Sequence, residues 1–324
     1  MKIVVLGAGA LGSIIGAHVL RAGHDVIFIA RERRASVLQQ RGIVLTGLAE
    51  FAVPVMVTTD PREVRAADAL LVAVKTYDTE SALASVRHLD VPTVLSLQNG
   101  VLKNEQLARV FGHERVVGAA ATVAGEILPD GAVRFTLNDR LALGELPEGT
   151  SGRVTELASI LARAGLRAEV SAHIQTVEWS KYALFVSAMA VAALTRLETA
   201  KFMSDPDAAR LVVQLVQEIG RIAAHLGIPL EDAGLLPIKT LCSESRGEAV
   251  ERLRQFGAVM AGRAPTHKVS TLQDLERGRR LEVEETLGHA VRQAVALEIP
   301  VPTIDTCYRL LAGIDRAATA RPCP

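Results

Sequence analysis

Lys2-Ile3-Val4-Val5-Leu6-Gly7-Ala8-Gly9-Ala10-Leu11-Gly12-Ser13 is the stretch whose reading decides the fold. Its first five residues predict a short buried strand, and Ser13 to Ala22 predict a helix. Between them stand three glycines in the G-x-G-x-x-G spacing that joins a strand to a helix and cradles a dinucleotide. Gly7 permits the tight turn, Gly9 lets the backbone approach a pyrophosphate, and Gly12 lets the helix pack closely on the strand. The helix start then offers N–H groups and a positive dipole end to the phosphates. A glycine-rich turn in some other α/β protein is the alternative. A second strand on schedule, Asp25 to Ile29, favours the cofactor turn, so Gly7, Ala8, Gly9, Ala10, Leu11 and Gly12 are the candidate phosphate-binding residues.

Composition narrows the function classes. The 324 residues are enough for two domains. Lys+Arg and Asp+Glu both number 36, so the formal charge is zero, which argues against nucleic acid or an anionic membrane as the main partner. Cys242, Cys307 and Cys323 are far apart and form no CxxC pair. This fits reduced thiols in a cytoplasm better than a disulfide framework or a zinc site. The eight histidines show no paired spacing, so no metal is expected. Ile3 to Leu20 could pass for a signal peptide, but its glycines fit the nucleotide turn better. No stretch is expected to be long and apolar enough to span a bilayer.

Strand and helix patterns alternate through the first half. Strands are expected at Ile43 to Leu45, Val53 to Val57, Asp68 to Val74, Thr93 to Leu97, Val116 to Val123, Ala132 to Thr136 and Leu141 to Gly144. Asp60-Pro61 opens a short helix with Asp60 as its cap, and Thr76 to Leu89 reads as helical. Such βα units imply an α/β fold with a doubly wound, mostly parallel Rossmann sheet. Strand signals stop after Ser171. Helices are then expected at Thr176 to Leu194, Asp207 to Leu226, Glu248 to Met260, Leu281 to Leu297 and Thr303 to Ile314, with a frayed tail from Ala317 to Pro324. The domains are therefore set at 1–171, the cofactor domain, and 172–324, an all-helical substrate domain. The apolar face Leu211-Val212-Val213-Leu215-Val216-Ile219 packs either within that domain or across a homodimer.

The second strand ends Phe28-Ile29-Ala30-Arg31. An NAD-binding strand usually ends in an acid that holds the ribose hydroxyls. Here Arg31 stands in that place, with Arg33 and Arg34 close by, and guanidinium groups suit a 2′-phosphate. NADP(H) is thus expected over NAD(H). The alternative is a solvated basic helix start with Glu32 serving the ribose.

Two further stretches lie at the carboxyl edge of the expected sheet, where ligands bind in this architecture. Val72-Ala73-Val74-Lys75-Thr76 places Lys75 past one strand, and Ser96-Leu97-Gln98-Asn99-Gly100 places Asn99 past the next. In the helical half come Trp179-Ser180-Lys181 and the run from Ser270 to Glu284, with its central Leu272-Gln273-Asp274. Taken in order, the chain resembles the ketopantoate (2-dehydropantoate) reductase family over nearly its whole length. The resemblance implies reduction of ketopantoate to pantoate with NADPH, on the route to pantothenate and coenzyme A. It also implies a Rossmann domain, a helical domain and an active site in the cleft between them. Lys181 matches the family's catalytic proton donor, and Glu282 the glutamate at the substrate and cofactor region. Ser270 matches a serine on the substrate carboxylate side. Asn99 and Lys75 match residues lining the cofactor and substrate cleft, and Arg31 the arginine at the 2′-phosphate. The chemistry stands without the family: a lysine ammonium beside a ketone oxygen stabilises the charge that hydride drives onto it and can give the proton.

The sequence departs from that pattern at two substrate-binding positions. The family usually carries asparagines four and eight residues after the lysine, on the same helix face. Phe185 and Met189 stand there instead. Each lost amide hydrogen bond is worth about 1 kcal/mol or more. Either the pocket is more apolar and takes a different keto acid or ketone, or both side chains pack in the core and the substrate is unchanged. A smaller departure is Glu284, where the family commonly has Asp. A third reading, a non-catalytic NADP-binding sensor, is disfavoured by the intact Lys181, Glu282 and Ser270.

Overall fold

The computed structural model describes residues 1–232 and 236–319. Cys323 and residues 320–324 of the expected frayed tail lie outside the described residues, while 317–319 continue the last helix. The chain divides into two compact units, one of residues 1–98 and 103–175, the other of residues 99–102 and 176–324.

The first unit alternates β1 (Lys2–Leu6), α1 (Ala10–Arg21), β2 (Asp25–Ile29), α2 (Glu32–Arg41), β3 (Ile43–Gly47), β4 (Phe51–Val53) and β5 (Met56–Thr58). It continues with β6 (Ala69–Val72), α3 (Thr79–Val86), β7 (Thr93–Ser96), α4 (Leu102–Phe111), β8 (Val116–Ile127), β9 (Val133–Glu145), α5 (Gly152–Arg163) and β10 (Ala168–Val170). The strands form one sheet in the order β4-β3-β9-β8-β7-β6-β1-β2-β5, with β10 paired to β9. Only the β3–β4 and β8–β9 pairings are antiparallel among the described residues. Period-two side-chain alternation makes both faces apolar. Ile3 and Val5 of β1 join Ile14, Ile15 and Ala17 of α1 in one core, whereas Val4 and Leu6 join Leu83 and Val86 of α3 in another. Ala69 and Leu71 of β6 divide from Leu70 and Val72 in the same way. This is a doubly wound sheet, helices on both faces.

Several element limits differ from the expectation for identifiable reasons. The expected strand from Val53 to Val57 is cut by Pro54, which has no N–H for a ladder. Its halves, β4 and β5, end up at opposite edges of the sheet. The two strands expected between Ala132 and Gly144 are one, β9, which pairs with β8 through two register shifts. The helix at Thr76 opens with a 3₁₀ turn, Thr76–Asp78, before α3. Asp60 caps a 3₁₀ turn, Pro61–Glu63, by accepting from the Arg62 N–H at 3.1 Å.

The second unit is helical: α6 (Ile174–Thr195), α7 (Thr199–Ser204), α8 (Pro206–His225), α9 (Ile238–Ser243), α10 (Arg246–Arg263), α11 (Ser270–Glu276), α12 (Leu287–Ala296) and α13 (Pro302–Thr319). Asp205 caps α8 by accepting from the N–H groups of Asp207 and Ala208, with Pro206 in the first helical position. Val212, Val213, Leu215, Val216 and Ile219 of α8 are buried in the core of this unit. Two expectations are corrected here. By length and composition α6 does suffice to cross a bilayer, but 78% of its most apolar window is buried inside the protein, as in a core helix. The helix expected from Leu281 begins only at Leu287. Residues 281–286 are instead held by tertiary partners: the Leu281 N–H donates to Asp315 Oδ1 at 2.6 Å, and the Gly288 N–H turns back to the Val283 carbonyl at 3.0 Å.

Candidate active site

The glycine turn is shaped by close approach. Gly7 has φ +104°, and a Cβ there would lie 2.7 Å from the Val74 nitrogen. A Cβ at Gly12 would lie 2.2 Å from the Gly7 carbonyl oxygen. At Gly9 the nearest atom to a Cβ is 3.8 Å away, so the missing side chain leaves open space in front of the backbone. Gly9 is also the N-cap of α1 and offers no side chain to the first N–H groups of that helix. Those groups have no intrahelical acceptor and suit an anion. Ala8 is buried, and Ala10 and Leu11 are half-buried. The cradle therefore fits the pyrophosphate of a dinucleotide.

An arginine that sequence reasoning grouped with the 2′-phosphate braces this turn. Arg34 donates from Nε to the Ala8 carbonyl at 3.0 Å, from Nη1 to the Gly131 carbonyl at 2.8 Å and from Nη2 to Ser13 Oγ at 3.2 Å. Burial pulls its pKa down. Arg31 is different. It is the N-cap of α2, its side chain is 80% exposed, and Nη2 lies 2.7 Å from Asp78 Oδ1. Glu32 and Arg33 are exposed beside it.

The turns after β6 and β7 are joined by a buried amide. Gln98 Nε2 donates to the Val74 carbonyl at 2.9 Å and to Thr79 Oγ1 at 2.8 Å, while its Oε1 accepts from Ser96 Oγ at 2.8 Å. This fixes the segment carrying Lys75, a half-buried residue that caps the Thr76 turn. The sequence places Gln98 in a turn. The available signal was an amide directly after a buried strand, where a free backbone edge needs partners.

In the second unit Lys181 projects from α6, and its Nζ donates to Asn99 Oδ1 at 3.2 Å. Gly100, with φ +87°, has its Cβ position 3.5 Å from the Glu285 carbonyl, so the 99–102 segment lies against the 282–286 segment. Glu282 is buried there, 6% exposed. Asn99, Lys181 and the Glu282 segment are thus brought together. Glu178, one turn before Lys181, is a second buried carboxylate that the sequence reading did not single out. Ser270 opens α11 and is exposed. Of the two residues at the asparagine positions, Phe185 is half-buried and packs on the core, whereas Met189 is fully buried. The Met189 sulfur lies 3.5 Å from Thr286 Oγ. A fully buried thioether packed in this way is core, and only Phe185 keeps accessible surface.

The first unit thus offers an anion cradle, and the second an ammonium that donates to an amide on a segment packed against the one carrying buried Glu282. No cluster of His, Cys, Asp and Glu among the described residues could hold a metal ion. Comparison with known proteins gives the family. The profile of the ketopantoate reductase PanE/ApbA family matches residues 3–148, and its C-terminal counterpart matches 173–315. A 2-dehydropantoate 2-reductase of Archaeoglobus fulgidus is 29% identical over 97% of this chain and 98% of its own length. The crystal structure of a PanE/ApbA family ketopantoate reductase from Ralstonia eutropha superposes with a TM-score of 0.83 at 29% identity, covering 98% of this chain and 100% of that one. D-mandelate dehydrogenase, solved with NADH and anilino(oxo)acetate, shares the fold with a TM-score of 0.85 at 19% identity, over 99% of this chain and 100% of its own. The chain belongs to the ketopantoate reductase family and is an oxidoreductase acting on a CH–OH group with a nicotinamide cofactor.

Proposed function

We propose that the chain reduces a 2-keto acid to the 2-hydroxy acid with NADPH, and that its substrate is 2-dehydropantoate. The observation that carries this reading is the Lys181–Asn99 hydrogen bond beside the segment of buried Glu282. The residues from Gly7 to Gly12 hold the pyrophosphate, Arg31 meets the 2′-phosphate, and Lys75 supports the cofactor side of the site. The bound cofactor supplies a hydride to the keto carbon. Lys181 Nζ holds the keto oxygen, stabilises the charge that grows on it and gives it a proton, so the product is the alcohol. Asn99 Oδ1 accepts from the same ammonium and fixes its direction. Glu282 accepts from the product hydroxyl and keeps it against the lysine.

A second reading rests on Phe185. Its half-buried ring takes the place of an amide, and the structurally similar D-mandelate dehydrogenase was solved with anilino(oxo)acetate, an oxo acid bearing an aromatic group. An aryl or branched apolar 2-keto acid would then be the substrate. Following NADPH absorbance with ketopantoate beside phenyl- and alkyl-substituted 2-keto acids separates the two. Fast turnover of ketopantoate that falls by roughly 10²- to 10⁴-fold in Lys181→Ala, the range for a lost general acid, is the expected result. Preference for an apolar keto acid establishes the second reading. NADPH binding with no turnover of any keto acid overturns both.

A further inference from the structure

Glu282 lies in a segment without regular secondary structure, so no helical ladder fixes its backbone. A buried carboxylate that must face a lysine needs its backbone set by other bonds. Those bonds converge on Thr286, which is 0% exposed. Its hydroxyl hydrogen-bonds to the Glu282 carbonyl. Its own carbonyl accepts from the phenol of Tyr182 at 2.8 Å. Tyr182 directly follows Lys181 in α6, is 2% exposed and packs edge-on against Trp179, with ring centroids 5.6 Å apart. Because neighbouring residues on a helix diverge by about 100°, Tyr182 points away from the lysine's face while sharing its backbone.

We propose that Tyr182 and Thr286 are positioning residues for the reduction: they tie the Glu282 segment to the helix that carries Lys181, and so hold the carboxylate and the ammonium at a fixed offset. The inference rests on the roles assigned above to Lys181 and Glu282. Other anchors of the segment come from α12 and α13. Asp315 takes the Leu281 N–H, Arg292 donates to the Glu284 carbonyl at 2.9 Å, and Tyr308 donates to the Glu284 carboxylate at 3.0 Å. None of these reaches α6. The Tyr182–Thr286 bond and the Thr286–Met189 contact both run from α6 to this segment. Burial pushes the Tyr182 phenol far above its usual pKa, so it stays a neutral donor across the working pH range.

The test compares Tyr182→Phe, Thr286→Val and the conservative Thr286→Ser with wild type and Lys181→Ala. Each is assayed with the 2-keto acid turned over fastest by wild type. Tyr182→Phe and Thr286→Val are expected to lower kcat roughly five- to tenfold, the size of one net hydrogen bond, with the KM for NADPH unchanged. Thr286→Ser restores kcat. The double variant falls no further than the more damaged single one, because both act on one link. A lowered melting temperature with wild-type kcat marks Tyr182 and Thr286 as ordinary core residues and overturns the proposal, as does a rise in KM for NADPH alone. Wild-type activity that survives Lys181→Ala overturns the functional reading itself. Loss of activity in Lys181→Ala with unchanged Tyr182→Phe overturns only the positioning role.

Discussion

Arg34 directs all three guanidinium nitrogens at oxygens of its own protein, while Arg31 keeps a side chain that is 80% exposed and paired with the partly exposed Asp78. The difference follows from helix geometry. Arg31 sits at the N-cap of α2, outside the packed face, whereas Arg34 comes one turn later and faces the glycine turn. An anionic ligand can draw an exposed arginine out of a surface ion pair, because such pairs are worth only about 0–1 kcal/mol. Arg31→Ala is therefore expected to raise the KM for NADPH about tenfold, the scale of a charge-assisted hydrogen bond, and to leave the KM for NADH unchanged. Initial rates with each cofactor check this. An equal effect on both cofactors would remove the 2′-phosphate role. At Arg34 the same truncation strips hydrogen bonds from the Ala8 and Gly131 carbonyls, so its loss weakens the turn whichever cofactor is present.

At the level of elements, the first fifty residues were legible because local rules and tertiary demands agree there. A strand of aliphatic residues, a glycine at positive φ and a helix that must pack within van der Waals contact leave few alternatives. The alternation of core faces along β1 and β6 follows the same logic. Local rules failed where one residue or a distant partner decided. Pro54 sends what reads as one strand to two edges of the sheet. Residues 281–286 carry a helix-like pattern, yet their polar groups are taken by Asp315, Arg292 and Tyr182. In the site, the family resemblance, rather than residue types or motif spacing alone, named Lys181, Asn99 and Glu282. Residue types and spacing could not show that Asn99 meets Lys181 across 82 positions of sequence, or Tyr182 meets Thr286 across 104. Buried Gln98 was missed for the same reason, since its partners Val74 and Thr79 lie about twenty residues away in the chain.

Taken whole, the molecule is held by separate apolar cores in its two units, and buried histidines make its stability depend on acidity. His289, 4% exposed in α12, is pulled from 6.5 to about 4, first by burial and then by the charge of Arg292. Between those values the unfolded imidazole takes up a proton that the folded one refuses, so acidification favours unfolding. The full stabilisation is present above pH 6.5 and falls away towards pH 4, by about 3 kcal/mol for a shift of this size. His18, 3% exposed, is lowered by burial too, and adds with the same sign. Denaturant midpoints are expected to drop steadily from pH 7 to pH 4.5, and His289→Asn to flatten that slope. A slope unchanged in the variant would place the acid sensitivity elsewhere. A different consequence follows from Lys103. Only seven of the 36 basic residues are lysines, and this one is 4% exposed with its ammonium donating to the Ser96 and Ala119 carbonyls. Lys201, whose side chain is 62% exposed, meets an amine-reactive tag at once. Lys103 meets it only when β7 and β8 part, so the delay between the two tags is a clock for the opening of the sheet, readable on a mass spectrum without any mutation.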